Sequence, residues 1–535
     1  MENRTRNGLL TALLGVLIGF LLFAVADQLR QRRGTKAEYA NWRKLNVILE
    51  EVRKNYVDTV DVEKLTDAAV VAALSKLDPH TIYLQPEELQ TSETELAGNF
   101  DGIGIQFNVP NDTAIVLEVI PGGPAEKAGM LQGDRLMYID DVPVAGVKFP
   151  QDSMVRRMKG PSGTKVKVTV LRDREEIPFD ITRGKIPVHC VDAAFMVDDS
   201  TGYLRLSKFS RNTYKEVLLA ATELLSKGMT RMVFDLRDNT GGYFDQALSL
   251  ADMFLDKGDE IVYLQGLNRK RDDYKATGKG LLRHVKLSVL INESSASSSE
   301  IFAGAIQDND RGVIVGRRSY GKGLVQEPVF FTDGSGIRIT VARFYTPSGR
   351  CIQKPYSDDY DYDIYKRYAS GEFFASDSIH VDSSAVYMTR GGRTVYGGGG
   401  IIPDVFVPMD TTRATSFYIE SNAKALPMRY ASATFDRYRN ALSDISEYDE
   451  LLRFLDSIDI ASGFREYADR TEGLRAGEAE WKETEPYLLP QLRALVGRYS
   501  RLGENAFYKL YLDTDLTVQV ALESPFTIST ETNDQ

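Results

Sequence analysis

Hydrophobic positions change their spacing several times along the chain, and each change predicts a different kind of element. Over residues 37–95 they recur every three to four positions, as at Trp42, Leu45 and Leu49, which predicts amphipathic helices. Residues 98–185 instead carry short β-rich runs between glycine and proline turns, which predicts a β domain. The strand candidates in this segment are Ala114–Ile120, Arg135–Ile139 and Lys165–Leu171.

Residues 200–350 alternate strand-like and helix-like patterns. Met232–Leu236 and Leu287–Ile291 are apolar strand candidates, and each is followed by a loop and a helical segment. This alternation predicts an α/β layer structure. Residues 354–400 form a polar, tyrosine-rich insert that is too long for an ordinary loop, so we expect it to have its own fold or to cover the site. Residues 410–535 return to helical patterning.

An almost uninterrupted apolar run, Gly8–Ala26, is long enough to span a bilayer. One interpretation is an uncleaved membrane anchor. The other is a removed signal peptide, because Ala24-Val25-Ala26 resembles a small-residue cleavage site. Basic residues after the run outnumber those before it, and by the positive-inside rule they would keep the bulk of the chain in the cytoplasm. A large folded part can nevertheless be exported despite such local charge counts.

Composition narrows the class of protein. With 535 residues, 43% of them hydrophobic, the chain reads as an ordinary globular protein of several domains. A net charge of −11 argues against a nucleic-acid partner, which would need a basic face. The two cysteines and four histidines match no metal or redox spacing, so we expect no metal and no cofactor. Cys190 and Cys351 are expected to be free thiols.

Three ordered features mark the β-rich segment. A glycine loop at residues 102–105 leads into a strand, a Pro-Gly-Gly-Pro turn at Pro121 leads into a short helix, and Gly133-Asp134 turns into another strand. This set resembles a PDZ domain in the circularly permuted form of bacterial proteases, with Asp141 where a glycine is more usual. In such a domain a peptide adds as an extra strand to an open sheet edge, and loop N–H groups receive its terminal carboxylate. The loop residues are Gly102, Ile103, Gly104 and Ile105.

A serine-rich run, Ser294–Ser299, follows one apolar strand and leads into a helical segment. Such a junction exposes a hydroxyl beside free helix N–H groups, although serine is also a common helix N-cap. Lys322 lies 25 positions after Ser297, between two glycines, and Gln326 follows it. A lysine can activate a serine if burial lowers its pKa. Upstream, Asp235–Gly242 ends the other apolar strand with paired glycines, whose backbone can approach a substrate carbonyl.

In this order, the Asp-Leu-Arg-x-Asn-x-Gly-Gly, Ser-Ala-Ser-x-Ser-Glu and Gly-Lys-Gly-x-x-Gln segments resemble the C-terminal processing (tail-specific) peptidases. The resemblance covers residues 40–350 and Gly400–Asp404. The resemblance implies that Ser297 is the nucleophile, Lys322 the general base and Gln326 the group that orients the lysine. It also implies that the backbone N–H groups of Ser298 and of Gly241 or Gly242 form the oxyanion hole. The family usually has alanine in place of Ser298, a difference that leaves the N–H unchanged.

The resemblance also implies a multidomain α/β fold with a protease core similar to the crotonase and Clp-protease α/β spiral. It implies protein substrates with accessible C-termini and a place in the cell envelope. The alternative is a non-catalytic PDZ-containing binding protein on the same fold. We expect the C-terminal helices to mediate homo-oligomerisation or to bind an adaptor. The predicted domains are an anchor or signal segment (1–36), a helical region (37–97), a PDZ domain (98–185), a Ser/Lys protease core with the insert (186–409) and a C-terminal helical domain (410–535).

Overall fold

The structure is a computed structural model that describes residues 43–109, 112–357, 359–411 and 415–526. The chain divides into two compact units, the first being the part up to Leu84 together with Gly336–Arg338, and the second the remainder. The apolar run Gly8–Ala26 lies outside the described residues. Within the ranges given above, no helix has the length and apolar character needed to cross a membrane.

The first unit contains two helices and a short strand pair. Helix α1 covers residues 43–55 of the described chain, and α2 is Val62–Leu74. Asp61 caps α2 because its carboxylate accepts the N–H of Lys64. Strand β1, Ile82–Leu84, pairs antiparallel with Gly336–Arg338. The predicted helices are confirmed here, whereas a strand of three residues is too short to give a periodic pattern.

The β-rich segment folds around a six-stranded antiparallel sheet of order β3-β4-β5-β7-β8, with β6 paired to β5. The three predicted strands are confirmed as β4, β5 and β7, and β3 forms an edge. Asp140 and Asp141 turn between β5 and β6 with φ of 49° and 60°, so Asp141 adopts the conformation that glycine usually supplies. The elements are α3 Pro86–Leu96, β2 Asn99–Gly102, β3 Ile105–Asn108, β4 Ile115–Val119, α4 Pro124–Ala128, β5 Arg135–Ile139, β6 Val142–Pro143, α5 Gln151–Met158, β7 Lys165–Arg172, β8 Glu175–Thr182 and β9 Gly184–Pro187.

The core is a six-stranded sheet of order β10-β11-β12-β15-β16-β21, parallel except for the β10–β11 pair. Strands β13, β14, β17 and β18 form a second sheet. The predicted α/β alternation is therefore confirmed. The elements are β10 Val191–Met196, β11 Thr201–Leu206, α6 Thr213–Ser226, β12 Arg231–Asp235, α7 Phe244–Asp252, β13 Glu260–Gln265, β14 Asp272–Lys275, β15 Lys286–Ile291, α8 Ser298–Asp308, β16 Val313–Gly316, β17 Leu324–Phe330, β18 Gly336–Tyr345 and β21 Val405–Phe406.

The tyrosine-rich insert has short elements of its own, which are 3₁₀ turns at Tyr360–Tyr362 and Ser376–Ser378, α9 Asp363–Ala369, and the hairpin of β19 Val386–Met388 and β20 Thr394–Tyr396. The C-terminal extension is helical, as predicted. Its helices are α10 Ser416–Ala423, α11 Leu426–Asp444, α12 Tyr448–Ser457, α13 Ile460–Glu472, α14 Glu478–Gly497, α15 Glu504–Tyr511 and α16 Leu516–Glu523. The expected role of this extension in oligomerisation or adaptor binding stays a prediction.

Both faces of the core sheet are covered. Met232 and Phe234 of β12 pack into the cluster formed with α6, α7 and α8, while Val233 points to the opposite face. On that opposite face the sheet packs against Val518 and Ala521 of α16. Burial on both sides is the reason that the central strands are unbroken apolar runs in the sequence.

Candidate active site

Ser297 lies where the sequence predicted it, directly after the loop that follows β15 and immediately before α8. Its φ of 55° and ψ of −111° lie in a region that glycine adopts far more easily than serine. Ser297 is half-buried, whereas Ala296 and Ser298 on either side are buried. A sharp turn between strand and helix of this kind presents one side chain outward from an otherwise buried segment.

The hydroxyls of Ser295, Ser298 and Ser299 are bound to main-chain carbonyls. Three hydroxyls donate to main-chain carbonyls of the segment after β12, namely Ser295 to Leu236 at 2.8 Å, Ser298 to Gly242 at 3.0 Å and Ser299 to Asn239 at 2.8 Å. They fasten the serine turn to the Asp235–Gly242 segment. Because these hydroxyls are held by carbonyl oxygens, the geometry favours Ser297 among the serines as the reactive one.

Gly241, the first of the paired glycines, lies against Ser297. A Cβ on Gly241 would be 2.8 Å from the Cβ of Ser297 and 3.0 Å from the N of Ser298, so only glycine fits there. The N–H of Gly241 donates to Asn239 Oδ1 at 2.9 Å. In the part of the chain that the structure describes, the N–H groups of Gly242 and Ser298 donate to no protein acceptor. The N–H of Gly241 is thus engaged within its own turn, whereas the N–H of Gly242 is left available to a ligand.

Glu300 of α8 connects the serine turn to the segment Ser319–Gly323, here called the lysine loop. Its Oε2 accepts the N–H of Ser297 at 2.8 Å and the N–H of Lys322 at 2.9 Å. Its Oε1 accepts the N–H of Gly321 at 2.7 Å. The main chains of the predicted nucleophile and the predicted base thus share one acceptor oxygen, which places them side by side.

The carboxyl of Glu300 is fully buried. Burial raises its pKa, and the four donors oppose that effect by stabilising the carboxylate, the fourth being Ser319 Oγ at 2.5 Å. Glu300 is not among the site residues predicted from the sequence. A signal for it was present, because a serine followed three positions later by glutamate is the pattern of a helix capping box.

Gln326 lies on β17, four residues after Lys322, and both side chains are half-buried. Gln326 lies within β17, whereas Lys322 lies in the loop before that strand, so the role of Gln326 in orienting the lysine stays a prediction. The structure brings together the backbones of the serine turn, the paired glycines and the lysine loop, while the PDZ loop lies in the separate β-rich region.

Charged side chains hold the C-terminal end of β12, and the paired glycines lie in the segment that follows this strand. The buried carboxylate of Asp235 accepts from Tyr203 Oη at 2.7 Å, Arg205 Nη1 at 3.1 Å and Arg237 Nη2 at 2.6 Å. Burial would raise the pKa of Asp235, but the two arginines outweigh it and hold the pKa well below its usual range. Arg237 also donates to Asp515, the N-cap of α16, at 2.8 Å. No pattern in the sequence indicated this link to the C-terminal extension.

The glycine loop at residues 102–105 connects β2 to the edge strand β3. The carbonyl of Ile103 accepts the N–H of Ala125 at 2.7 Å, and the carbonyl of Gly104 accepts the N–H of Ile120 at 3.0 Å. In a trans peptide the C=O and the following N–H point in opposite directions. The N–H groups of Gly104 and Ile105 therefore point away from these contacts, as expected of a loop that binds a carboxylate.

Both cysteines are free, Cys190 being buried and Cys351 half-buried. Burial raises the pKa of Cys190 to about 12. The described residues contain no group of three or more His, Cys, Asp or Glu side chains that could hold a metal ion.

Comparison with known proteins identifies two regions. The model of peptidase family S41 matches residues 200–363, and the PDZ domain model matches residues 102–182. A carboxy-terminal-processing protease of Bartonella bacilliformis is 36% identical over 346 residues, which are 63% of this chain and 78% of that protein. The carboxy-terminal processing protease CtpA of Bacillus subtilis is 30% identical over 348 residues, 65% of this chain and 74% of that one.

A solved structure of a photosystem II D1 C-terminal processing protease is 28% identical, with a TM-score of 0.36, and the match covers 67% of this chain and 91% of that one. The extent of the sequence relatives carries the assignment, and the two family models match the PDZ region and the segments that contain Ser297 and Lys322. The expected family, its multidomain α/β fold and its serine-type peptidase activity are confirmed. The chain belongs to the carboxy-terminal-processing proteases, which are S41 serine peptidases with a PDZ domain.

Proposed function

We propose that this peptidase cleaves its protein substrates with Ser297 as nucleophile and Lys322 as general base. The observation that carries the proposal is the shared contact of Ser297 N–H and Lys322 N–H with Glu300 Oε2. Neutral Lys322 accepts the proton of Ser297 as Oγ attacks the peptide carbonyl. The Lys322 ammonium gives this proton to the leaving nitrogen as the tetrahedral intermediate collapses, which releases the amine, leaves an acyl-enzyme and returns the lysine to its neutral form. Water, deprotonated by the same lysine, then attacks the ester, and the proton returns to Ser297 Oγ as the acid product leaves.

We place the developing oxyanion between the N–H groups of Gly242 and Ser298. Both donors are otherwise without a protein acceptor in the described residues; Ser298 directly follows the nucleophile, and Gly242 directly follows Gly241, which packs against it. Gln326 keeps Lys322 in line with Ser297. Removing one such donor typically costs 10²–10³-fold in kcat, so the arrangement should be sensitive to small displacements of either backbone segment.

The dyad is tested with Ser297→Ala and Lys322→Ala, using fluorescein-labelled casein as an unstructured substrate and a fluorophosphonate as a probe of the reactive serine. We expect both variants to lose cleavage and labelling, whereas Lys279→Ala, which changes an exposed lysine, should behave as wild type. Cleavage that persists in either dyad variant would contradict the proposal. A wild type that is neither labelled nor active would instead favour the non-catalytic binding protein.

The oxyanion site is tested with Gly241→Ala, whose Cβ would be 2.8 Å from both Ala296 O and Ser297 Cβ. Gly258→Ala is the matched control, because its φ of +90° resembles the +100° of Gly241 but its Cβ would meet open space. Gly258→Ala should lose about 1 kcal/mol of stability from backbone strain, and Gly241→Ala should lose more, because its Cβ would also clash with main-chain atoms. Only Gly241→Ala should lose kcat, by about 10²-fold. Equal kcat values for the two variants would contradict an oxyanion site that depends on the packing of Gly241 against Ser297 and Ser298.

We also propose that the PDZ loop, Gly102 to Ile105, binds the C-terminal carboxylate of the substrate. The edge position of β3 and the outward N–H groups of Gly104 and Ile105 support this. Two otherwise identical substrates, one with a free C-terminal carboxylate and one amidated, should differ in KM by at least tenfold. Gly104→Val, which meets Ile186 Cδ1 at 3.0 Å, should remove that difference, whereas Gly146→Val in open space should keep it. Equal KM values in the wild type would refute carboxylate recognition.

We propose that the catalytic part acts in the cell envelope, outside the cytoplasm, after export through the apolar run Gly8–Ala26. The length of this run and its small-residue end support both an anchor and a cleaved signal. Fractionation of cells that express the full chain, with N-terminal sequencing of the product, separates the two. An intact chain in the soluble cytoplasmic fraction would overturn the proposal.

A further inference from the structure

The lysine loop is held on two sides. On one side it contacts Glu300 of α8, as described above. On the other side it contacts the two ends of the tyrosine-rich insert. Gln353 Oε1 accepts the N–H of Gly323 at 2.9 Å, the N–H of Lys354 donates to Gly321 O at 3.0 Å, and the Ile401 carbonyl accepts the N–H of Ser319 at 3.0 Å. The insert therefore begins and ends on the segment that carries Lys322.

Lys354 is the residue that joins the lysine loop to the body of the insert. Its ammonium lies 4.2 Å from the ring centre of Tyr320, in the lysine loop, and 4.2 Å from that of Tyr360, in the insert. It also donates to Tyr360 O at 3.3 Å and to Asp363 Oδ2 at 3.2 Å. The side chain is buried, and cation–π contacts of buried cations are stronger than those in water.

A second contact from the insert holds the same loop from its other end. Arg367 of α9 donates to Ser319 O at 3.0 Å and to Arg318 O at 2.7 Å, and pairs with the buried carboxylate of Glu372. Each of these contacts holds the main chain or the tyrosine of the lysine loop, and none of them uses the side chain of Lys322. The insert thus supports the position of the lysine loop through its main chain and through Tyr320.

We propose that Lys354 is a positioning residue for the catalytic lysine, acting through Tyr320, and that the tyrosine-rich insert is the support of the lysine loop. This inference rests on the proposed Ser297–Lys322 dyad. A misplacement of a reacting group by about 1 Å can cost about 10²-fold in rate. Because Lys354 does not contact the substrate in this role, its loss should lower kcat and leave KM nearly unchanged.

The test compares Lys354→Met, Lys354→Arg and the matched control Lys509→Met in the full chain. Lys509 is a half-buried lysine of the C-terminal extension whose ammonium lies 4.3 Å from the ring of Tyr448, so it also loses a cation–π contact. With fluorescein-labelled casein, Lys354→Met should lower kcat about tenfold or more and change KM less than about twofold. Its rate of labelling by a fluorophosphonate should fall in proportion. Lys354→Arg should recover most of kcat, because a guanidinium also binds aromatic rings.

Lys509→Met should lose thermal stability but keep kcat. A Lys354→Met variant that folds and keeps the wild-type kcat overturns the inference, as does a fall confined to KM. If Lys354→Met does not fold, Tyr360→Leu decides by the same criteria, since it removes one ring and leaves the lysine in place. Ser297→Ala and Lys322→Ala are measured in parallel. If they are inactive while Lys354→Met is fully active, only this inference fails, and if they remain active, the dyad itself is wrong.

Discussion

At the scale of single residues, the backbone of Ser297 carries the clearest sign of function. A φ of 55° with ψ of −111° is costly for any residue with a Cβ, by about 1–3 kcal/mol. The surrounding contacts hold this conformation, because Ser295, Ser299 and the carboxylate of Glu300 bind the turn on both sides. The strain is therefore part of how the hydroxyl is presented.

This strain predicts an unusual order of stabilities. Ser297→Gly should be more stable than Ser297→Ala by about 1 kcal/mol in urea unfolding, because glycine adopts these dihedral angles without a Cβ clash. At Ser249, inside helix α7, the order should reverse, with glycine about 1 kcal/mol less stable than alanine. The same order at both positions would show that the turn at Ser297 is not strained in solution.

The raised pKa of Cys190 gives a prediction about the reactivity of its thiol. With a pKa of about 12, its thiol is almost entirely protonated at pH 8, where a free cysteine is already partly thiolate. Burial also raises the pKa of Cys351. Iodoacetamide should therefore label neither thiol of the folded protein at pH 8, and should label both in urea. Rapid labelling of Cys190 without denaturant would contradict its burial.

At the scale of elements, the sequence allowed good predictions where one pattern governed an element. Arg135–Ile139 was predicted as a strand and is β5, and the predicted helix after the serine run is α8. The motif spacing also indicated every segment that meets at Ser297. The packing of α16 on the outer face of the core sheet could not be predicted. This helix is separated from β12 by some 280 residues, and no local sequence pattern indicates which element it contacts.

We expect only the buried face of helix α16 to contribute to the stability of the fold. Val518 is fully buried against the core sheet, whereas Leu516 on the same helix is 42% exposed. Val518→Asp places a carboxylate without a partner in an apolar cluster and should cost several kcal/mol, measured by urea unfolding. Leu516→Asp introduces the same group into water near the helix N-terminus and should change stability by less than about 0.5 kcal/mol. Equal losses would mean that α16 does not pack on the sheet as described.

At the scale of the whole molecule, the C-terminal extension connects the PDZ region to the core. Arg439 of α11 donates to the carbonyls of Gln132 at 2.8 Å and Gly133 at 3.2 Å, and Asp436 pairs with Arg135. Phe435 lies so close to Gly133 that a Cβ there would be 2.3 Å from its ring. The sequence predicted the PDZ domain and the helices separately, but a contact between them depends on three-dimensional packing that spacing alone does not record.

This contact predicts a local change in hydrogen exchange. Arg439→Ala should speed exchange of the amides of residues 131–135 by about tenfold, which corresponds to about 1.4 kcal/mol of lost local stability. The amides of β12 and β15 should not change. Arg465→Ala is the control, since that arginine lies 5.1 Å from the ring of Trp481 and pairs with Glu478 within the extension. Faster exchange at residues 131–135 in both variants would show that general loosening, and not the contact with α11, is responsible.

The hydrogen bond between Arg237 and Asp515 joins segments that are synthesised at different times. The segment that holds the paired glycines is made in the middle of the chain, but the carboxylate that completes its support is made more than 270 residues later. A ribosome-bound chain that already contains Ser297 and Lys322 still lacks this support and the cover of the outer sheet face. Synthesis order therefore leaves the segment of the paired glycines without this support until nearly the whole chain has been made.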